Sequence, residues 1–336
     1  MKLTAKFAGA LLGAMTFSGA ALASVAGATQ PPGERAGLDL ASPLPEGVYF
    51  VDIGSIGNWR APSSQSGFDY NVPILAWSTP WQIVGGRLQF YGALPEISAS
   101  EAGPYLGGAY SRGMYNPFLA ASLNWNIGNG ISVGLLSGAY IPITGTNVYI
   151  NGGHVGWGNP WDQTTFQEML AIAYHGGGWN ATANLIFDLI GDNQSPFGIT
   201  PKKNADSFNY DLGLTHTFGK WEVGIVAYGM IMENGTYNSN IPNDPSAVGV
   251  AGAGGVSSNY ACASCSVFAL GGLVGYNFGP VITQLTVATD LYTHSSQITG
   301  APLGDNWMMQ KETRGVLRVI VPLWNPEAPK AVVAKY

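Results

Sequence analysis

His294 and Ser296 stand two residues apart in the run Tyr292-Thr293-His294-Ser295-Ser296. A histidine beside a serine hydroxyl can act as general base to a nucleophile, provided a third group orients the imidazole. No Asn can be assigned to that orienting role from the sequence. Cys262 and Cys265 form a C-x-x-C, the spacing of a dithiol redox pair or of half a zinc site. Redox use needs a helix start beside a βαβ unit, and zinc needs further ligands with no His near in sequence. A small disulfide stiffening a loop tip is therefore expected in an oxidising compartment. His175-Gly176-Gly177-Gly178 has the composition of an oxyanion loop but reads more simply as a glycine turn. His154 and Trp157, with Trp161 and Asp162, form an aromatic-rich stretch that suits capture of a flat solute or shielding of a mouth. Neither a metal site nor a cofactor is expected.

The elements that must hold these residues are set out by the rhythm of the chain. Twelve segments of alternating apolar and polar residues are expected at 47–58, 68–79, 87–97, 115–126, 131–142, 165–175, 179–190, 206–218, 221–232, 266–278, 281–292 and 313–324. The gaps between them run 9, 7, 17, 4, 22, 3, 15, 2, 33, 2 and 20 residues. Every second gap is shorter than its neighbours, as in a barrel with periplasmic turns and extracellular loops. Within 179–190, Trp179, Ala181, Ala183, Leu185, Phe187 and Leu189 oppose Asn180, Thr182, Asn184 and Asp188. Within 206–218, Phe208, Tyr210, Leu212 and Leu214 oppose Ser207, Asn209, Asp211 and Gly213. Successive side chains of a strand point to opposite faces, so these are strands with one apolar face. Around a dozen residues suffices for a tilted crossing of a bilayer.

Composition agrees. Charged residues make up 10% of the 336, with mean hydropathy +0.12, 47 glycines and 12% aromatics. A soluble domain carries about a quarter charged residues, and a helical membrane protein needs long apolar runs absent here after the N-terminus. The net charge of −6 and the lack of a Lys/Arg cluster argue against nucleic acid. Lys2, Lys6, an apolar core from Phe7 to Phe17 and the run Ala21-Leu22-Ala23 predict a signal peptide over 1–23, with cleavage as late as residue 28. Residues 24–46 are then a periplasmic tail or a small plug, 47–324 the barrel, and 325–336 a C-terminal tail. Trp125, Tyr174, Trp179, Phe218, Trp221, Tyr276 and Phe278 adjoin the short turns, where an interfacial girdle would lie.

On parity, Asp52, Arg87, Asp188, Asp211, Glu222, Asp290, Arg314 and Arg318 are expected in the lumen. Charges of both signs there either pair to brace the walls or select solutes. Arg318 is kept inward because a cation at mid-bilayer costs about 2 to 4 kcal/mol, which leaves Trp324 on the inward parity too.

The run Tyr70-Asn-Val-Pro-Ile-Leu-Ala-Trp-Ser-Thr-Pro-Trp81, followed by Gly85-Gly86-Arg87-Leu88, resembles the outer-membrane transporter family named from the meta-pathway of phenol degradation. That resemblance implies a monomeric Gram-negative outer-membrane barrel, distantly similar to fatty-acid uptake channels. It also implies passive passage of small hydrophobic or aromatic solutes, with membrane lipid as the other partner and no catalytic motif. The His294/Ser296 pair resembles the active-site strand of outer-membrane phospholipases, which are also twelve-stranded. Those enzymes follow the Ser with Asn-Gly, whereas Gln297-Ile298 stands here. A lipid hydrolase is thus the alternative, and a closed structural or surface-interaction barrel the third reading.

Overall fold

The computed structural model describes residues 30–61, 64–102, 109–142, 147–150, 153–156, 164–191, 201–203, 206–233, 236–237, 265–295 and 311–326. Strands carry most of it: β1 (Gly47–Ala61), β2 (Ser64–Ile83), β3 (Gly86–Ala93), β4 (Glu96–Ala102), β5 (Ala109–Met114) and β6 (Phe118–Gly128). There follow β7 (Ile131–Tyr140), β8 (Asn147–Ile150), β9 (Gly153–Gly156), β10 (Thr165–Gly176), β11 (Trp179–Ile190) and β12 (Pro201–Lys203). The last are β13 (Asp206–Phe218), β14 (Trp221–Glu233), β15 (Thr236–Tyr237), β16 (Cys265–Asn277), β17 (Ile282–Ser295) and β18 (Glu312–Trp324). All ladders are antiparallel, and β1 bonds both β18 and β2. The sheet therefore closes into a twelve-stranded barrel with no free edge.

Four connections at one end are two residues long, at 84–85, 129–130, 177–178 and 219–220, and the fifth spans 278–281. Their backbones need left-handed geometry: φ is +50° at Val84, +52° at Asn129, +59° at Gly177 and +64° at Gly219. Gly and Asn adopt it at low steric cost, whereas Val84 is an unusual occupant. The seven-residue gap expected between the second and third strands is in fact this tight turn, because β2 runs on to Ile83. Its pairing with β3 slips between Ser78 and Gln82, and the bulge absorbs the extra length.

A line of prolines bends the opposite end. Pro73 sits inside β2, Pro95 separates β3 from β4, and Pro117 separates β5 from β6. None has an N–H to give the ladder. Their carbonyls instead take bonds from Leu94 (3.1 Å), Tyr115 (2.8 Å) and Ile141 (2.9 Å). Above that line β4 and β5 continue, and the β8–β9 hairpin adds to β5.

Side-chain alternation matches the barrel reading. In β11, Thr182, Asn184, Ile186 and Asp188 are buried, while Phe187 and Leu189 are exposed. Exposed apolar side chains such as Leu214, Ile225, Leu285 and Val287 coat the outside. At the turn end lie exposed Trp77, Trp81, Tyr174, Trp179, Phe218, Trp221 and Phe278. Several of these rings touch: Trp77–Trp81 centroids are 5.4 Å apart, Trp221–Tyr276 4.7 Å and Tyr276–Phe278 4.5 Å. Trp324 joins this belt at 51% exposure, which corrects its expected inward parity. Tyr49 pairs with Pro322 but Val48 pairs with Trp324. The one-residue slip turns the last side chain outward.

Candidate functional site: the lumen and the segment inside it

A barrel of this size has interior polar walls that must find partners, and residues 30–46 supply many of them. The segment starts with Pro31-Pro32-Gly33, which sets a series of tight turns, Leu38 N–H to Arg35 O being the best formed at 2.9 Å. Gly33 has φ +85°, and a Cβ there would sit 2.4 Å from the Tyr228 ring. Gly213 faces Gly37 so closely that a Cβ would fall 2.5 Å from its Cα. These glycines let the backbone lie against the wall.

Most wall contacts grip the backbone of the segment. Asp211 accepts from Gly33 N (2.9 Å) and Arg35 N (2.8 Å). Asn184 donates to the carbonyls of Arg35 (3.1 Å) and Leu38 (2.9 Å). Asn124 donates to those of Leu40 (2.7 Å) and Ala41 (3.1 Å). Arg318 donates through Nε to Glu34 O (3.0 Å) and through Nη2 to Gly33 O (3.3 Å). Ser78 donates to Leu44 O near the turn end (2.8 Å).

Side chains add three more ties. Arg35 donates to Gln167 Oε1 at 2.8 Å, and Gln167 donates to Gln30 at 3.1 Å and to Asp188 at 2.8 Å. His175 Nε2 lies 2.7 Å from Asp39 Oδ2, while its Nδ1 meets Asn180 Oδ1 at 2.8 Å. Glu34 is buried inside the barrel. Burial pushes its carboxyl above the ordinary 4.5, with Asp211 adding to the rise and Arg35, Arg318 and Arg314 opposing it.

Set among these polar groups is an apolar cluster, an oily wall. Ile53, Val72, Ala93, Phe118, Leu136, Tyr140, Met169, Ile186 and Val316 pack with Ala41 of the segment. Phe118 and Tyr140 rings lie 4.5 Å apart. Within β7, Leu136 and Tyr140 face this apolar cluster, and exposed Leu135 faces outward. Polar and apolar groups share strands: inward Ile186 stands between Asn184 and Asp188 on β11, and Val316 between Arg314 and Arg318 on β18.

Seven of the eight residues expected in the lumen lie on inward positions. Asp188 accepts from Gln167, from Ser207 (3.1 Å) and from Asn209 (3.3 Å). Glu222 accepts from Thr215 and from Gln284 (2.9 Å). Arg87 donates to Thr79 O (3.1 Å). Asp290 Oδ2 accepts from Glu312 N (3.0 Å), and Arg314 pairs with Glu312 at 2.8 Å.

Asp52 is the exception and a correction. Its neighbours Ile53 and Ser55 are buried on the inside, so Asp52 falls on the outer face, where Asn71 donates to it at 3.1 Å. Both faces of β1 are apolar enough that a charge looked like a lumen marker. The inner one packs into the oily wall instead.

The loop residues fare differently. His154 lies in β9, opposite Tyr149 of β8. His294 is exposed on β17 opposite Ser266, and Cys265 begins β16. Trp157, Trp161, Cys262 and Ser296 lie outside the described residues, as do the expected leader 1–23 and the end of the chain from 327. Gly130-Ile131-Ser132-Val133-Gly134 has the spacing of a nucleophile elbow. It leads from a turn into β7, not from a strand into a helix, so it lacks the context that exposes such a serine. Among the described residues no three His, Cys, Asp or Glu side chains gather to hold a metal.

Sequence reading missed the segment's partners Asn124, Gln167 and Asn184, and the segment's own Arg35. The available signal was a set of inward amides on neighbouring strands facing a glycine-rich stretch of unassigned role.

A closed barrel with an apolar outer band, an aromatic belt and polar interior groups is a transmembrane barrel of the Gram-negative outer membrane. A family profile described as the MetA-pathway of phenol degradation matches residues 50–259, and the chain belongs to that family. Among solved structures it is similar to the COG4313 outer membrane channel from Pseudomonas putida F1, with 14% identity and TM-score 0.58, covering 84% of this chain and 97% of that one. A Pseudomonas aeruginosa FadL homologue matches at 8% identity and TM-score 0.43, over 91% of this chain and 100% of the other. The Ralstonia pickettii toluene transporter TbuX matches at 11% identity and TM-score 0.39, over 91% and 95% respectively. No curated protein matches the sequence.

Proposed function

We propose that this protein is a monomeric passive channel for small hydrophobic or aromatic compounds, closed at rest by its own residues 30–46. The observation that carries this reading is the filling of the lumen. One continuous segment fills it through non-covalent bonds and packs against an oily wall that includes Val72, Phe118, Leu136 and Tyr140. A barrel meant only as a staple needs no removable filler, since its own side chains can brace it. An apolar solute gains by leaving water for the oily wall, and movement down a gradient needs no energy input. Asp188, Asp211, Glu222, Asp290, Arg87, Arg314 and Arg318 line the path, and of these Asp211 and Arg318 hold its filler. His154 and His294 serve the entrance, a role that the sequence also suggests for Trp157 and Trp161, and residues 1–23 deliver the chain for secretion.

Single-channel recording in planar bilayers tests the proposal. Wild-type protein gives small, infrequent openings, and removal of residues 30–46 raises conductance several-fold. Absence of conductance in both forms, together with unimpaired uptake of aromatic compounds by cells lacking the protein, overturns it.

A further inference from the structure

Arg314 and Arg318 point inward from one strand, β18, and both are almost fully buried. Their donors are under-used. Arg314 spends Nη2 on Glu312 and lies 5.4 Å over the Tyr70 ring, leaving Nε and Nη1 with no acceptor among the described residues. Arg318 spends Nε and Nη2 on two carbonyls of the lumenal segment, and its Nη1 has none. Tyr228 Oη on β14, within electrostatic reach of Arg314, is likewise unpartnered among them. Buried guanidinium donors left without acceptors are costly.

What occupies the arginines now is instructive. Gly33 and Glu34 bring two carbonyl oxygens to Arg318, and the Glu34 carboxyl lies within electrostatic reach of both guanidiniums. A neutral carbonyl is a weaker partner for a guanidinium than a carboxylate, which binds both nitrogens of the fork. When the segment withdraws, its carbonyls and the Glu34 charge leave together. Arg314, Arg318 and the Tyr228 hydroxyl are then presented to a lumen with apolar side chains beside them, Ile53 opposite Arg318 in the β1–β18 ladder and Val316 between the arginines. Of the acids that stay, Glu312 and Asp290 already accept from Arg314 and from Glu312 N, while Asp211 and Glu222 remain within electrostatic reach of Arg318.

Resting on the channel reading above, we propose that residues 33–34 are a resident stand-in for a carboxylate, and that the vacated site binds amphipathic organic acids. The carboxylate bonds Arg318 and Arg314 while the hydrocarbon or aromatic body lies toward Ile53, Val72 and Val316. Acids are thereby favoured over neutral analogues of equal size.

Calorimetric titration of the full-length protein in detergent tests this with 4-phenylbutyrate against 4-phenylbutan-1-ol. The acid is expected to bind about ten-fold more tightly, the equivalent of one charge-assisted bond. Arg318→Gln abolishes the preference for acid over alcohol, whatever loss of its two bonds to the segment does to the absolute affinities. Gly33→Ala drives a methyl into Tyr228, unseats the segment and raises affinity for the acid, because a larger fraction of molecules has the site free. Heat-modified gel mobility certifies that each variant is folded, and Arg318→Lys replaces any glutamine variant that is not. Equal affinity for acid and alcohol overturns the proposal, as does a preference that survives Arg318→Gln or binding of neither probe. Conductance, measured separately, decides whether the channel reading survives such a result.

Discussion

Asp211 shows how differently a lumen charge can work from what its position suggests. Its inward parity was legible, and pairing with a charge on another wall was the simplest expectation. Its carboxylate instead holds two backbone N–H groups of the segment, at 2.9 and 2.8 Å. Arg318 repeats the pattern with two carbonyls, so neither residue's partner is another strand's side chain. Backbone partners have no side-chain signature, which is why the anchoring was not readable. Asp211→Ala strands both amides, and a hydrogen bond to a charged group is worth about 1.5 to 3 kcal/mol. The segment should come loose while the barrel stays folded. Limited trypsin digestion measures this directly, because cleavage after Arg35 requires an exposed segment. Asp211→Ala is expected to be cut at least ten-fold faster than wild type, with Asp211→Asn between them. Equal rates would mean that the anchoring lies elsewhere.

Elements were legible to the extent that their two faces differ. β11 and β13 alternate cleanly because each faces lipid on one side and hydrogen-bonding groups on the other. β1 and β2 do not, since their inner face packs into the oily wall. Asp52 was therefore assigned to the wrong side, and the interruptions at Pro95 and Pro117 went unseen within expected strands. Trp324 was misplaced for another reason: a one-residue slip beside Val48 reverses parity without leaving a mark in composition. The outward assignment itself is testable at Val287, exposed in the middle of β17. An arginine there would meet hydrocarbon at a cost of about 2 to 4 kcal/mol. Val287→Arg should lower the folded fraction seen by heat-modified gel mobility after urea titration in lipid vesicles. Val287→Ala should lose far less, and equal behaviour would place this face in water.

For the whole molecule, closure is a balance between seated and withdrawn segment, and two of its contacts depend on protons. Glu34 carries a seated pKa above 4.5 because burial outweighs the three nearby arginines. A carboxyl with a raised pKa favours the seated state when protonated. Its contribution is complete below about 4.5 and is lost as pH climbs through the seated value. The His175–Asp39 contact at 2.7 Å is an ion pair only while the imidazole is charged, so deprotonation weakens it in the same direction. Both effects predict a segment that seats more firmly in acid, and neither requires the barrel to change. Open probability in planar bilayers should therefore rise between about pH 5 and pH 8. Glu34→Gln removes one proton-linked contribution and His175→Asn the other, so the double variant should respond least. A wild-type channel indifferent to pH over that range would show that the backbone contacts of Asp211, Asn184, Asn124 and Arg318, which do not depend on either proton, dominate closure.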